Sequence, residues 1–144
     1  WSSISRVREA VDSSIFPIQN DSIKYGSIWF CGTRGWPSPG SREYSDHDEK
    51  VFNRELIRLE LSLESVEDDA PIVVLLHYPP FNDRGENTQF IEILRNYRVE
   101  HVVFGHLHAD SLKNVKEGHL EGIDYHLVSC DYLDFELKEI CEVL

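Results

Sequence analysis

Apolar residues run along this chain in two rhythms, one helical and one nearly continuous. The first helical period is Ile4, Val7, Ala10 and Val11, preceded by serines suited to capping. Pro17 and Asn20-Asp21 then break the chain. Residues 22–25 and 27–31 read as two strands around Gly26. The following stretch, 32–41, is rich in glycine, proline and serine and predicts a loop large enough to line a site. The strongest helical pattern covers 48–66. Its apolar stripe is Val51, Phe52, Leu56, Leu59 and Leu63, with Arg54, Glu55, Arg58 and Glu64 expected to face water. Asp46 and Asp48 suit the positive end of that helix.

The continuous rhythm begins at Ile72. A strand over Ile72–Leu76, a polar loop at 82–87, a helix over 88–97 with Phe90, Ile91 and Leu94 inward, and a strand over 101–104 make one βαβ unit. Such a unit implies parallel pairing and a right-handed crossover. Beyond His108 the apolar stretches at Val115, 123–130 and 135–140 read as strands separated by Gly118, Gly122 and Asp131. No helical period intervenes, so these predict antiparallel pairing or an extended edge. No repeat, low-complexity tract or linker divides the chain, which reads as part of one α/β domain.

Both strands of the βαβ unit end in histidine. Val73-Val74-Leu75-Leu76 runs into His77-Tyr78-Pro79-Pro80, and Val102-Val103-Phe104 into Gly105-His106-Leu107-His108. Open α/β sheets place their sites at the carboxyl edge, where these residues fall. Neutral imidazole is a common ligand for divalent transition metals at physiological pH. Extended backbone sends His106 and His108 to the same side, and one helix separates them from His77. The three histidines therefore predict a metal centre. His47, His101, His119 and His126 lack such convergence and are expected to be solvated or structural. Arg34 and Trp36, in the glycine-proline loop, and Tyr78 and Asn82, after His77, are candidates for contacting a substrate. Pro79-Pro80 stiffens that segment. Asp131 and Asp134 are expected to be turn residues.

Fourteen basic against 26 acidic residues give a net charge of −12. Such a field disfavours binding to a nucleic-acid backbone, but local metal ions can reverse the potential for a small phosphorylated substrate. No apolar run is long enough for a membrane helix. Cys31, Cys130 and Cys141 are widely spaced in apolar contexts, which predicts reduced, buried thiols and a cytoplasmic setting.

The strand ending in His77 and the glycine-His-x-His end at Gly105-His106-Leu107-His108 resemble the last two ligand motifs of calcineurin-like metallophosphoesterases. The stretches Cys31-Gly32-Thr33-Arg34-Gly35-Trp36, Arg54-Glu55-Leu56-Ile57-Arg58-Leu59 and 126–135 are similar to a predicted phosphohydrolase subgroup of that family. The resemblance implies the C-terminal portion of an α-β-β-α sandwich, with mixed sheets flanked by helices. It also implies a binuclear centre holding manganese, iron or zinc, with His77 and His106 on one ion and His108 on the other. Water activated between the ions attacks phosphorus in line. The family's Asp-x-His, Gly-Asp and Gly-Asn-His motifs do not occur here and are expected upstream, together with the general acid. The 144 residues are accordingly expected to be inactive alone, with no catalytic residue of their own, and to take a companion N-terminal segment or self-associate. Two other readings remain at this point: a non-catalytic binding or scaffold module on the same fold, and a mononuclear zinc hydrolase built on the three histidines.

Overall fold

The computed structural model describes residues 3–144 and forms a mixed α/β layer. Helix α1 (Ile4–Ala10) is capped by Ser3, whose hydroxyl accepts from the Arg6 amide. Strands β1 (Ile23–Tyr25) and β2 (Ile28–Thr33) pair antiparallel around Gly26, which takes φ +57°. Helix α2 (Glu49–Glu64), strand β3 (Ile72–Leu76), helix α3 (Gln89–Leu94) and strand β4 (Val99–Phe104) follow as the sequence pattern predicts. Thr88 caps α3: its hydroxyl accepts from the Phe90 amide and donates to the Pro80 carbonyl. A 3-10 turn (Ala109–Asn114) and strands β5 (Gly118–Leu120) and β6 (Ile123–Leu127) complete a six-stranded sheet of order β1-β2-β3-β4-β6-β5.

Strands β2, β3, β4 and β6 run parallel, which aligns Cys31, Val74, Val102 and Tyr125 across the sheet. All four are buried and, with Trp29, Leu76, Phe104 and Leu127, form the face covered by α2 and α3. Phe52, Leu59 and Leu63 of α2 and Phe90, Ile91 and Leu94 of α3 fill that layer. Each fully buried side chain of this size contributes about 1.5–3 kcal/mol by leaving water. The other face carries the alternate positions, among them Leu75, His101 and His126. The end of the chain returns to the β1–β2 turn, where Val143 and Leu144 lie against Gly26.

Four local expectations are corrected. Strand β6 pairs parallel with β4, because residues 105–122 form a long crossover that lets the chain return in the same direction. Only β5 pairs antiparallel with it. Residues 135–140 form no strand: Phe135 and Leu137 point into solvent and find no sheet edge. Glu55 does not face water but is fully buried beneath the end of β2. It accepts from the Thr33 hydroxyl at 2.5 Å and from Arg58 at 2.7 Å, with Arg34 at 3.6 Å, so its charge is compensated inside the protein. Finally, Cys130 is exposed rather than buried, while Cys31 is buried and Cys141 partly so. Burial pushes the Cys31 thiol up to about 11, leaving it inert at neutral pH.

Candidate metal centre

The two strand ends are tied together by backbone bonds. The amides of His77 and Tyr78 both donate to the Arg34 carbonyl at 3.0 Å, and the Gly105 amide donates to the His77 carbonyl at 3.2 Å. Gly35, next to that carbonyl, takes φ +70°, a conformation open to glycine. The loop after β2 thus fixes where β3 releases its histidine.

Past Phe104 the chain does not stay extended. His106 takes φ +70°, a left-handed conformation that is costly for a residue with a Cβ. The extended-strand expectation for His106 and His108 therefore fails, and the two rings have separate partners. His106 Nδ1 lies 3.1 Å from His77 Nε2, and its Nε2 lies 3.3 Å from Glu43 Oε2. His108 Nδ1 lies 2.7 Å from Asp131 Oδ1 instead. The Tyr78 ring packs on both His77 and His106, with centroids at 4.9 and 4.1 Å.

Two imidazole nitrogens held by one ion at 2.0–2.1 Å stand roughly 3.0–3.4 Å apart. The His77–His106 spacing of 3.1 Å falls in that range, so the pair fits a shared divalent ion. Burial, reinforced by His106, Arg34 and His108, lowers the His77 pKa below the ordinary histidine value. His77 is thereby kept in the neutral form that ligates.

A cavity of about 760 Å³ opens beside these rings. It is lined by Glu43, Tyr78, Asn82, His106 and His108, with Arg42, Lys113 and Lys116 among its polar residues. Ser38 also lines it, and its buried hydroxyl has no protein partner. Of the sequence candidates, Asn82 lines the cavity but spends its amide on the loop: its oxygen accepts from the Arg84 and Glu86 amides and its nitrogen donates to Glu86. Arg34 and Trp36 do not line it. Arg34 stacks over Trp36 at 4.3 Å and leans toward Glu55, while the Trp36 indole donates to Asp48. Arg34 serves this region through its carbonyl.

The remaining histidines lie elsewhere. His47 is exposed. His101 Nδ1 and His126 Nε2 sit 3.1 Å apart on the sheet face opposite α2, and His119 pairs with Asp124. The sequence reading missed the first pair because β4 and β6 were not recognised as neighbours. It also missed Glu43 and Asp131, the two carboxylates that reach the site histidines. Glu43 lies in an acidic loop with no periodic signal. Asp131 is brought back by the parallel return of β6. Together with His108 and Cys130, Asp131 forms the one three-residue group among the described residues with metal-ligand atoms mutually within 4.8 Å.

Residues 7–110 match the family model of the calcineurin-like phosphoesterases. The chain belongs to the calcineurin-like phosphoesterase family. No curated protein and no solved structure matches it. The six-stranded mixed sheet flanked by helices is consistent with a calcineurin-like phosphoesterase fold, and the match places the chain in a family of metal-dependent phosphoesterases. Among its described residues no helix is long and apolar enough to cross a membrane.

Proposed function

We propose that this calcineurin-like phosphoesterase hydrolyses a small phosphomonoester or phosphodiester with two divalent ions, manganese, iron or zinc. His77 and His106 hold one ion and His108 contributes to the other. The observation that carries the reading is the 3.1 Å approach of His77 Nε2 to His106 Nδ1 at the rim of a cavity of substrate size. Bound ions would supply a water-derived nucleophile and a charge clamp for the phosphoryl oxygens.

The chain's own residues do the rest. Tyr78 walls the two imidazoles and limits their rotation, so the ligand nitrogens stay aimed together. Glu43 stands at the outer nitrogen of His106 and fixes its ring plane. Arg42 and Lys116 bring positive charge to the cavity wall, where Glu43, Asp83 and Asp110 also lie and Lys113 is paired with Asp110.

The test is metal binding followed by turnover. Chelator-stripped protein should bind manganese in calorimetry, and His77→Ala and His106→Ala should each abolish tight binding while leaving the fold intact by circular dichroism. Metal content per folded chain separates two ions from one. Hydrolysis of p-nitrophenyl phosphate or bis-p-nitrophenyl phosphate by the full-length protein should depend on the added metal. A folded full-length protein that binds manganese yet hydrolyses neither ester would favour a binding module on the same fold. One that binds no divalent ion overturns the reading.

A further inference from the structure

We infer that Asp131 is a positioning residue for the metal centre: its carboxylate locks His108 in the Nδ1–H tautomer and leaves Nε2 as the ligand atom. The inference rests on the reading of His108 as a ligand and assigns a role beyond the family-matched residues 7–110.

The geometry is a two-point clamp. Asp131 Oδ1 lies 2.7 Å from His108 Nδ1, and Oδ2 accepts from the Ala109 amide at 3.0 Å. One carboxylate thus holds both the ring and the backbone that follows it. Ala109 takes φ +50°, an uncommon conformation for alanine, and its amide bond to Asp131 helps to hold it there. Ser111 fixes the other side of the same residue, its hydroxyl accepting from the His108 amide and donating to the His108 carbonyl. A carboxylate accepts only, so His108 Nδ1 must carry the proton. Nε2 is then the deprotonated nitrogen, and a neighbouring anion makes it a more basic ligand.

Cys130 and Asp131 also invite a competing arrangement, with both as direct ligands beside His108. The distance argues against it. At 2.7 Å, His108 Nδ1 and Asp131 Oδ1 are closer than the roughly 3.0–3.4 Å of two atoms sharing an ion. They stand at the short hydrogen-bond separation of a ring N–H donating to a carboxylate, whereas the 3.1 Å of the His77–His106 pair is compatible with either a hydrogen bond or a shared ion.

The experiment has one readout without metal and one with it. In metal-free, 15N-histidine-labelled protein at a pH where His108 is neutral, nitrogen shifts should report the Nδ1–H form. Asp131→Asn offers an amide donor to Nδ1 and should switch His108 to the Nε2–H form. The same variant should lose roughly 10–100-fold in manganese affinity, the usual effect of removing a carboxylate behind a ligating histidine. Asp134→Asn, a nearby exposed carboxylate, should change neither readout. A His108 already in the Nε2–H form, or an Asp131→Asn protein with parental tautomer and affinity, overturns the inference. So does a thiolate-to-metal band in cobalt-loaded protein that Cys130→Ser removes, because Asp131 would then sit in a direct ligand set. If the parent binds no manganese, the proposed function fails on its own, while the nitrogen shifts still decide whether Asp131 sets the tautomer.

Discussion

His106 shows how a single residue can be held where its own conformational preference would not put it. With φ +70°, it occupies backbone space that glycine enters freely and other residues enter at a cost of about 1–3 kcal/mol. The turn at this position aims Nδ1 at His77 and Nε2 at Glu43. The usual order of substitutions should therefore reverse. His106→Gly should be more stable than His106→Ala by about 1 kcal/mol, because only glycine relieves the strain. Both should lose manganese affinity alike. Thermal denaturation of the two metal-free variants checks this, and an alanine variant as stable as the glycine one rules out the strain. The sequence shows that a histidine stands here after a glycine, but not the sign of its φ. Glu55 is hidden in the same way, since a helical pattern records that a residue is polar and not that Arg34, Arg54 and Arg58 lie 3.6, 3.9 and 2.7 Å from its carboxylate.

At the scale of elements, most of the architecture was legible because apolar period and burial have the same cause. The α2 stripe and the β3 and β4 runs are buried where their patterns predict. The failures lie where pairing partners, not pattern, decide. Residues 135–140 alternate like a strand yet meet no edge, and β6 joins β4 in parallel without an α-helical crossover. Gly32 belongs to this class. Its place in a glycine-rich stretch suggested a loop, whereas it lies within β2 opposite Leu75 of β3. A Cβ at Gly32 would fall 2.2 Å from the Leu75 carbonyl oxygen, so the two central strands must part to admit it. Gly32→Ala should cost about 1–3 kcal/mol, the range for forced overpacking. Chemical denaturation should show a lower midpoint with an unchanged slope. An unshifted midpoint would mean that the strands are not in this close register.

At the scale of the whole molecule, the site histidines occupy one edge of the sheet and a second histidine pair lies on its open face. The first arrangement was foreshadowed by two apolar runs ending alike; the second needed the strand order. That second pair ties the fold to pH. His126 is shifted below the ordinary histidine pKa of 6.5, first by burial, then by Lys138 and His101, with Asp124 and Glu117 opposing. A lowered folded pKa means that the unfolded chain takes up protons first as pH falls. The penalty is negligible about a pH unit above 6.5 and grows as pH falls through that value. Stability declines as pH drops below that value and levels off once His126 is protonated in the folded state as well. His77 is shifted in the same direction and adds to the decline in metal-free protein. Replacing His126 by glutamine removes one titrating group and keeps a polar side chain at a half-buried position. Melting temperatures measured from pH 7.5 to 5 in the presence of chelator should therefore fall less steeply for His126→Gln than for the parent. Repeating the series with saturating manganese should flatten both curves near neutrality, because a ligated His77 no longer accepts a proton. As the pH falls further, protons compete for the ligand nitrogens and that protection fades. Identical metal-free slopes in parent and variant would show that the pair on the open face does not couple protonation to folding.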